Sequence, residues 1–555
     1  MMKLLPEQMP EVWGGLECTI NRVGDRYFDQ LEDSGHRNRQ GDMEMFASLG
    51  IKKMRYPVLW EEHQQSLSDP INWTDTADKL NALRKNEIDV IAGLVHHGSG
   101  PSFVHIMDDS FAAGLATYAA QVAGRFPWIE YYTPVNEPLT TARFCGLYGI
   151  WFPHESNDQS FCRMVVNECK ATVLAMQAIR KVNPDAKLVQ TDDLGKVHST
   201  PKLKYQAAFE NERRWLAFDL TSGRVDAKHK LYDYLTSNGI TAAELSFFVL
   251  NPCQPNILGV NYYITSERYL DENRALYPKH SYGSNNIHTY ADVEAVRVGH
   301  VSPDGAVVLI KEAWERYEIP IAVTEVHLHC TREEQMRWLH YLWTAAIELQ
   351  EEGVSILAIT AWALLGSFGW DKLLTQPHGT YEPGIFDLTG NLPRPTILAS
   401  MLRAYSQNKA FVHPVLASPG WWQRSARVAY GTENVFENSA AHLFNKPIFI
   451  SGIHANLLGE ICESRCLNFQ MCNNAACDTS KIAMLAIANQ TMTIQVPGKQ
   501  ALNIRMQEGG SLWIMLNKGL DLYLDEEEGA WELDNKNRLV KITEELTPAL
   551  HHFAN

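Results

Sequence analysis

The 555-residue sequence predicts an α/β protein: a closed (β/α)8 barrel of the TIM type, followed by a small C-terminal α/β remnant of Rossmann character. Three observations carry this. Strand-like and helix-like segments alternate through residue 406. Several strands are short and apolar without alternating polarity, the pattern of a parallel sheet buried on both faces. Beyond them, Pro414, Pro419, Gly420, Trp421 and Trp422 mark a linker-like stretch. The expected organisation is a barrel over residues 1–415, a linker over 416–445 and a C-terminal unit over 446–555.

Eight strands are expected, at residues 12–17, 53–59, 89–95, 131–136, 186–190, 257–263, 321–325 and 356–362. Each is a β-branched, aromatic or otherwise apolar run. The fourth follows Trp128-Ile129-Glu130-Tyr131-Tyr132, and Pro138 ends it, because proline offers no N–H and fixes its own φ. Helices are expected at 41–49, 76–85, 110–125, 160–181, 306–316, 332–352 and 396–406. Those at 110–125 and 160–181 show apolar residues at three-to-four spacing. The long insert over 193–255 carries no clear pattern. In the C-terminal unit a strand and turn are expected at 447–452 and a helix at 459–466. The tail from Met506 reads as a separate piece, amphipathic over 511–524 and then acidic over 525–528.

Composition narrows the function. A net charge of −16 leaves no electrostatic footprint for nucleic acid or for an anionic membrane surface. The start, Met1-Met2-Lys3-Leu4-Leu5-Pro6-Glu7, lacks the apolar core of a signal peptide, and no run is long enough to span a membrane. Ten cysteines are too sparse for a disulfide scaffold and suit a cytoplasmic location. No metal or cofactor is expected. His96 and His97 are adjacent on a strand and should point to opposite faces. Cys462, Cys466, Cys472 and Cys477 lack the tight pairs of a zinc site and read as small apolar residues of a helix and loop. Oligomeric state is not legible.

The chemistry concentrates at two strand ends. Thr133-Pro134-Val135-Asn136-Glu137-Pro138 closes the fourth strand, and Ile319-Pro320-Ile321-Ala322-Val323-Thr324-Glu325 closes the seventh. Only a fold that gathers strand ends at one face brings these acids together, and a barrel does so. Two carboxyl groups roughly 5–5.5 Å apart across a glycosidic bond form the arrangement of a retaining glycosidase. One stays protonated and donates to the leaving oxygen; the other stays ionised and attacks the anomeric carbon. Other strand ends supply groups to hold a sugar: Arg55, His96, Asn261-Tyr262-Tyr263, Trp362 and Trp370. Glu17 is an extra acid near the first strand end and reads as a buried, paired structural group.

In this order the motifs resemble the family 1 glycoside hydrolases, the β-glucosidase and β-galactosidase type, over residues 10–406. The resemblance implies Glu137 as acid/base and Glu325 as nucleophile. It implies Arg55, His96, Asn136, Tyr263, Trp362, Trp370 and, more loosely, Asn21 as substrate-binding residues. There are departures. Gly369 stands where the family has a sugar-gripping glutamate between Phe and Trp. Val326-His327 replaces Asn-Gly, and His97 replaces a tryptophan. The resemblance implies a hydrolase of carbohydrate metabolism acting on a glycoside, with a modified or deoxy sugar suggested by Gly369. A transglycosidase or a glycan-binding pseudoenzyme using the same pocket remains the alternative. The C-terminal piece resembles a shortened dTDP-4-dehydrorhamnose reductase at Lys446-Pro447-Ile448-Phe449-Ile450-Ser451-Gly452 and over 520–533. It lacks a Tyr-x-x-x-Lys and a central loop glycine, so a structural remnant is expected, with a nucleotide-sugar reductase as the remaining alternative.

Overall fold

In the computed structural model, eight parallel strands close into a barrel. The structure describes residues 9–542, apart from 67–69, 378, 391, 425–426, 428, 431–446, 466, 473–483 and 527–528. The barrel strands are β1 (Glu11–Gly15), β2 (Lys53–Pro57), β3 (Asp89–His96), β4 (Tyr131–Asn136), β5 (Lys187–Asp193), β6 (Ile257–Asn261), β7 (Ile321–Val326) and β8 (Ile356–Ala361). β1 pairs with both β2 and β8, so the sheet has no edge. All eight expected strands are present. The fifth runs three residues further than expected, carrying Asp192 and Asp193 to the barrel mouth. The first stops at Gly15, so Glu17 lies in the loop beyond it.

The closed end is filled by Trp13, Ile91, Val189, Ile257, Ala322 and Ala358, all buried. Around the barrel lie the expected helices, observed as Asp42–Ala47, Thr74–Lys85, Asp109–Arg125, Asp158–Val182, Gly305–Tyr317, Arg332–Glu351 and Ile397–Ser406. Their apolar stripes face the sheet, which is why three-to-four spacing located them. The insert after β5 forms a strand and four short helices, including Lys204–Arg213 and Ala242–Leu250. Its strand, Lys196–Ser199, pairs in parallel with Glu267–Asp271, which joins two further strands in a small side sheet.

For reference below, α1 is Pro138–Ala142, α2 is Arg332–Glu351, α3 is Ile397–Ser406, α4 is Ala455–Ser464 and α5 is Leu512–Asp525. The C-terminal unit is one mixed seven-stranded sheet. Its strands are β9 (Ile448–Gly452), β10 (Phe469–Met471), β11 (Met484–Ala488), β12 (Thr491–Gln495), β13 (Leu502–Met506), β14 (Ala530–Leu533) and β15 (Leu539–Ile542). β9 runs parallel to β10 and β11, as in a Rossmann half, but β11, β12 and β13 form an antiparallel meander. Met506 ends a strand of this sheet, and α5 buries Met515, Leu516 and Leu520. The tail is therefore continuous with the rest of the unit rather than separate. Cys472 is disulfide-bonded, against the expectation of unpaired cysteines in this stretch. Cys466 and Cys477 fall outside the described residues. No helix among the described residues is long and apolar enough to cross a membrane.

The sheet docks on the barrel through buried charge. Arg465, at the end of α4, grips both oxygens of Glu333 at 3.0 and 2.8 Å and also bonds Asp521 at 2.8 Å. Glu333 is fully buried in the first turn of α2. Asp525, the last residue of α5, accepts the backbone N–H of Ile397 at the start of α3 and pairs with Arg394. Removing one partner of a buried pair leaves the other charge stranded, at a cost of about 3–5 kcal/mol. Arg465→Ala is expected to lower the unfolding free energy by about that much in urea titration, and Arg465→Met combined with Glu333→Gln by distinctly less.

Candidate active site

The strand ends converge at the C-terminal mouth of the barrel. Glu137 follows β4 and takes the left-handed conformation, φ 47° and ψ 64°, before Pro138 starts α1. Such a backbone costs a non-glycine residue about 1–3 kcal/mol and persists only where its surroundings enforce it. Here the Glu137 N–H donates to the Thr191 carbonyl on β5 and its carbonyl accepts from Thr141 in α1. Glu325 reaches the mouth from β7, whose register shifts at Thr324 against both neighbouring strands. An irregularity of this kind re-aims a side chain at a barrel rim.

A hydrogen-bonded frame joins the two acids. Arg55 Nη1 donates to Glu325 Oε1 and to the Thr324 carbonyl, both at 2.8 Å, while Nη2 donates to Asn136 Oδ1 at 2.5 Å. Tyr263 donates its hydroxyl to Glu325 Oε2. Asn261 donates Nδ2 to Glu137 Oε1, and its Oδ1 accepts from Thr324 Oγ1 at 2.6 Å. Thr191 Oγ1 adds a second donor to Asn136 Oδ1 at 2.7 Å. Both glutamates are buried, with 4% of Glu137 and 3% of Glu325 exposed.

The two acids are therefore inequivalent. The guanidinium and phenol address Glu325, whereas Glu137 is raised well above the usual carboxylate range. Burial is the main cause, followed by the charges of Glu325, Asp192 and Asp193, and the Asn261 bond opposes them. These causes favour the protonated form of Glu137.

The aromatic residues close the walls. The Trp362 ring lies 4.6 Å from the Arg55 guanidinium and stacks on His96, centroids 5.4 Å apart and 14° from parallel. Gly15 makes room for it: a Cβ there would come 2.5 Å from the indole. Trp370 sits at the rim, half-buried, with its ring edge-on to His97 and Trp151 at 5.9 and 6.1 Å. Asn21 is fully buried; its Nδ2 donates to the Leu374 carbonyl in the loop that follows Trp370, at 3.2 Å. The structure thus gathers Arg55, His96, Asn136, Tyr263 and Trp362 around the two glutamates. Trp370 lies in the outer loop, and Asn21, in the hairpin strand Ile20–Val23, is tied to that loop by its amide.

The expectation that His96 and His97 face apart does not hold. His97 lies past the end of β3 with φ 53°, which breaks the alternation. Both Nε2 atoms approach Asn136 Nδ2, at 3.3 and 3.4 Å. Burial holds His96 well below the usual imidazole range and lowers His97 to about 3, with Arg55 and, for His96, the neighbouring ring adding to it. Two neutral rings can each accept one amide hydrogen, leaving His97 Nδ1 to donate to Thr141 Oγ1 at 3.0 Å. His97 Nε2 lies 3.7 Å from Glu137 Oε2, which for an uncharged ring is no ion pair.

Three further acids are present that the strand-end motifs did not nominate. Asp192 accepts from Leu139 N at 3.2 Å and is raised to about 7, chiefly by burial. Asp193, at the end of β5, accepts from Ser266 Oγ and is raised to about 6, chiefly by burial. Glu17 is buried, and its Oε1 accepts from Thr19 N at 3.0 Å and Thr19 Oγ1 at 2.6 Å. Burial raises Glu17 to about 7, with the Glu325 charge adding to it and hydrogen bonds from Thr19 and the Trp362 indole opposing it. It is buried, as expected, but no cation pairs with it among the described residues. His198, Glu267 and Asp304 converge closely enough for a metal. Lys196 already lies 2.5 Å from Asp304, and Glu267 accepts the N–H groups of Asp304 and Gly305, so that cluster is internally satisfied.

No family model matches the chain. Among solved structures, the barrel is similar to a β-glucosidase from Thermotoga maritima in complex with cyclophellitol: 16% identity, TM-score 0.59, covering 74% of this chain and 100% of that one. The Thermotoga maritima family 1 glycoside hydrolase with a cyclophellitol analogue transition-state mimic matches at 16% identity and TM-score 0.60, covering 74% and 99%. The same organism's β-glucosidase with galacto-hydroximolactam matches at 16% and 0.58, covering 74% and 100%. At this identity the likeness establishes a shared fold.

The lone carboxyl of Glu17 has a measurable consequence for stability. Its folded value, about 7, lies above the 4.5 of an exposed glutamate, so the folded state binds the proton more tightly than the unfolded chain. Below pH 4.5 the group is protonated in both states and has no effect; between 4.5 and 7 it destabilises the fold progressively, by about 3 kcal/mol in all, and above 7 the penalty is constant. Glu17→Gln is expected to close that gap. Its stability advantage over wild type, read from denaturation midpoints, should be near zero at pH 4.5 and full at pH 8.

Proposed function

We propose that the protein is a retaining β-glycosidase that cleaves an O-glycosidic bond by double displacement. The observation that carries this is the asymmetry of the acid pair: Arg55 and Tyr263 engage Glu325, while burial beside other acids holds the proton on Glu137. In the first step Glu325 attacks the anomeric carbon as Glu137 donates its proton to the departing glycosidic oxygen. The C–O bond to the aglycone breaks and a glycosyl ester forms on Glu325. With that ester formed, the largest of the neighbouring charges that raise Glu137 is gone, and Glu137 now serves as base. It takes a proton from water as the water oxygen attacks the same carbon, and Glu325 leaves with retained configuration in the sugar.

Trp362 supplies a flat apolar platform for the sugar, and His96, Asn136 and Asn21 supply polar edges. The substrate is a glycoside, with a deoxy or otherwise modified sugar favoured. Gly369, φ 73°, brings no carboxylate to the place where the family has its hydroxyl-gripping glutamate. We read the C-terminal unit as a structural remnant of a reductase, because parallel winding survives only in part, at β9 with β10 and β11 and at β13 with β14, and an antiparallel meander interrupts it. Transglycosylation in the same pocket differs only in the acceptor that replaces water.

Glu325→Ala is expected to lower turnover of an activated aryl β-glycoside by at least about 10³-fold, and azide or formate to restore it with formation of the α-glycosyl product. Glu137→Ala with azide should give the β-azide instead, because the covalent intermediate still forms. Product anomers are read by NMR. Absence of turnover with every aryl glycoside would refute the assignment.

A further inference from the structure

Glu17 lies two residues beyond the end of β1, in the loop at the barrel mouth. One of its oxygens is fixed by both Thr19 donors, and its carboxyl also takes a hydrogen bond from the indole N–H at the edge of Trp362, the ring that packs against Gly15 at the end of β1. Its charge is felt by Glu325 and by Tyr263, the two groups on the reacting side of the sugar. A group whose only task was structural would be better served by an amide or an apolar side chain, since a buried carboxyl without a cation costs stability.

Gly369 brings no side chain of its own to the site.

We propose that Glu17 hydrogen-bonds a ring hydroxyl of the sugar seated on Trp362 and so sets the substrate class: a neutral glycoside that keeps this hydroxyl and bears no anionic group. This rests on the glycosidase reading. A protonated carboxyl can donate to the hydroxyl and an ionised one can accept from it. A phosphate or a carboxylate is disfavoured, because it would enter a buried mouth that already holds the charge of Glu325 and, above about pH 6, that of Asp193, and like charges brought together there repel strongly. The sugar phosphates and uronosides are thereby selected against, and the 6-deoxy and neutral hexosides are retained.

The experiment uses the full chain and a panel of nitrophenyl β-glycosides: the best neutral sugar, its monodeoxy analogues and its 6-phosphate. Glu17→Ala is expected to lower kcat/KM on the parent about 10–100-fold and on one monodeoxy analogue less than about 3-fold, with Glu17→Gln recovering most of the loss. The 6-phosphate should be turned over at least about 100-fold less well than the parent by wild type. An equal loss on every analogue, no loss on the parent, or preference for the 6-phosphate overturns the inference. If Glu17→Ala does not fold, judged by its thermal melt, Glu17→Met fills the volume without polar atoms and replaces it. Should wild type cleave no glycoside, the glycosidase reading fails separately. Calorimetric titration of the free sugars into wild type and Glu17→Ala then decides the inference, unchanged affinity overturning it and a hydroxyl-dependent loss supporting it.

Discussion

The mouth of this barrel is crowded with acids, and a single buried guanidinium decides how they divide the work. Arg55 is 6% exposed and spends its donors on Glu325, the Thr324 carbonyl and Asn136, with the Trp362 ring against its face. Nothing comparable reaches Glu137, whose nearest polar partners are an amide and a neutral imidazole. In a medium of low polarity an ion is stable only beside its counter-charge, so the position of one cation makes the two acids unlike: Glu325 has a counter-charge within hydrogen-bond reach, whereas Glu137 is pushed toward its protonated form. Asn261 locks that division by bonding Glu137 with one end of its amide and Thr324 with the other.

Much of the fold was legible because a parallel barrel writes itself into local patterns. Tyr131–Asn136 was located to the residue, since aromatic and β-branched side chains favour a strand and Pro138 stops one. β5 was read three residues short because Thr191-Asp192-Asp193 has the composition of a turn, and only pairing with β6 keeps it extended. The side sheet left no trace for a related reason. Lys196–Ser199 is short and half-exposed, and its partner Glu267–Asp271 lies far along the chain, so no periodicity announces either.

The candidate site divides along the same line. Residues within strand-end motifs, Arg55, Asn136, Tyr263 and Trp362, come together where the motifs implied. Those whose placement depends on backbone conformation did not reveal themselves. His97 turns beside His96 because its φ is 53°, and no residue type announces that in advance. Asn21 spends part of its amide on a loop carbonyl from a distant segment. Glu17 was taken for a paired structural acid because burial is legible in a sequence whereas the absence of a cation is not.

The docking of the C-terminal sheet bears on how such a chain could have been assembled. Asp525 binds the first backbone N–H of α3 and the Arg394 side chain, and Arg465 neutralises an acid in the opening turn of α2, the helix that follows the Glu325 strand. A fused ornament tethered only by a flexible leash could be shed without consequence. This one shares ionic partners with the helices behind the seventh and eighth strands, so losing it would leave Glu333 without the Arg465 guanidinium that neutralises it. A cut at the linker would therefore weaken the barrel as well as remove the sheet.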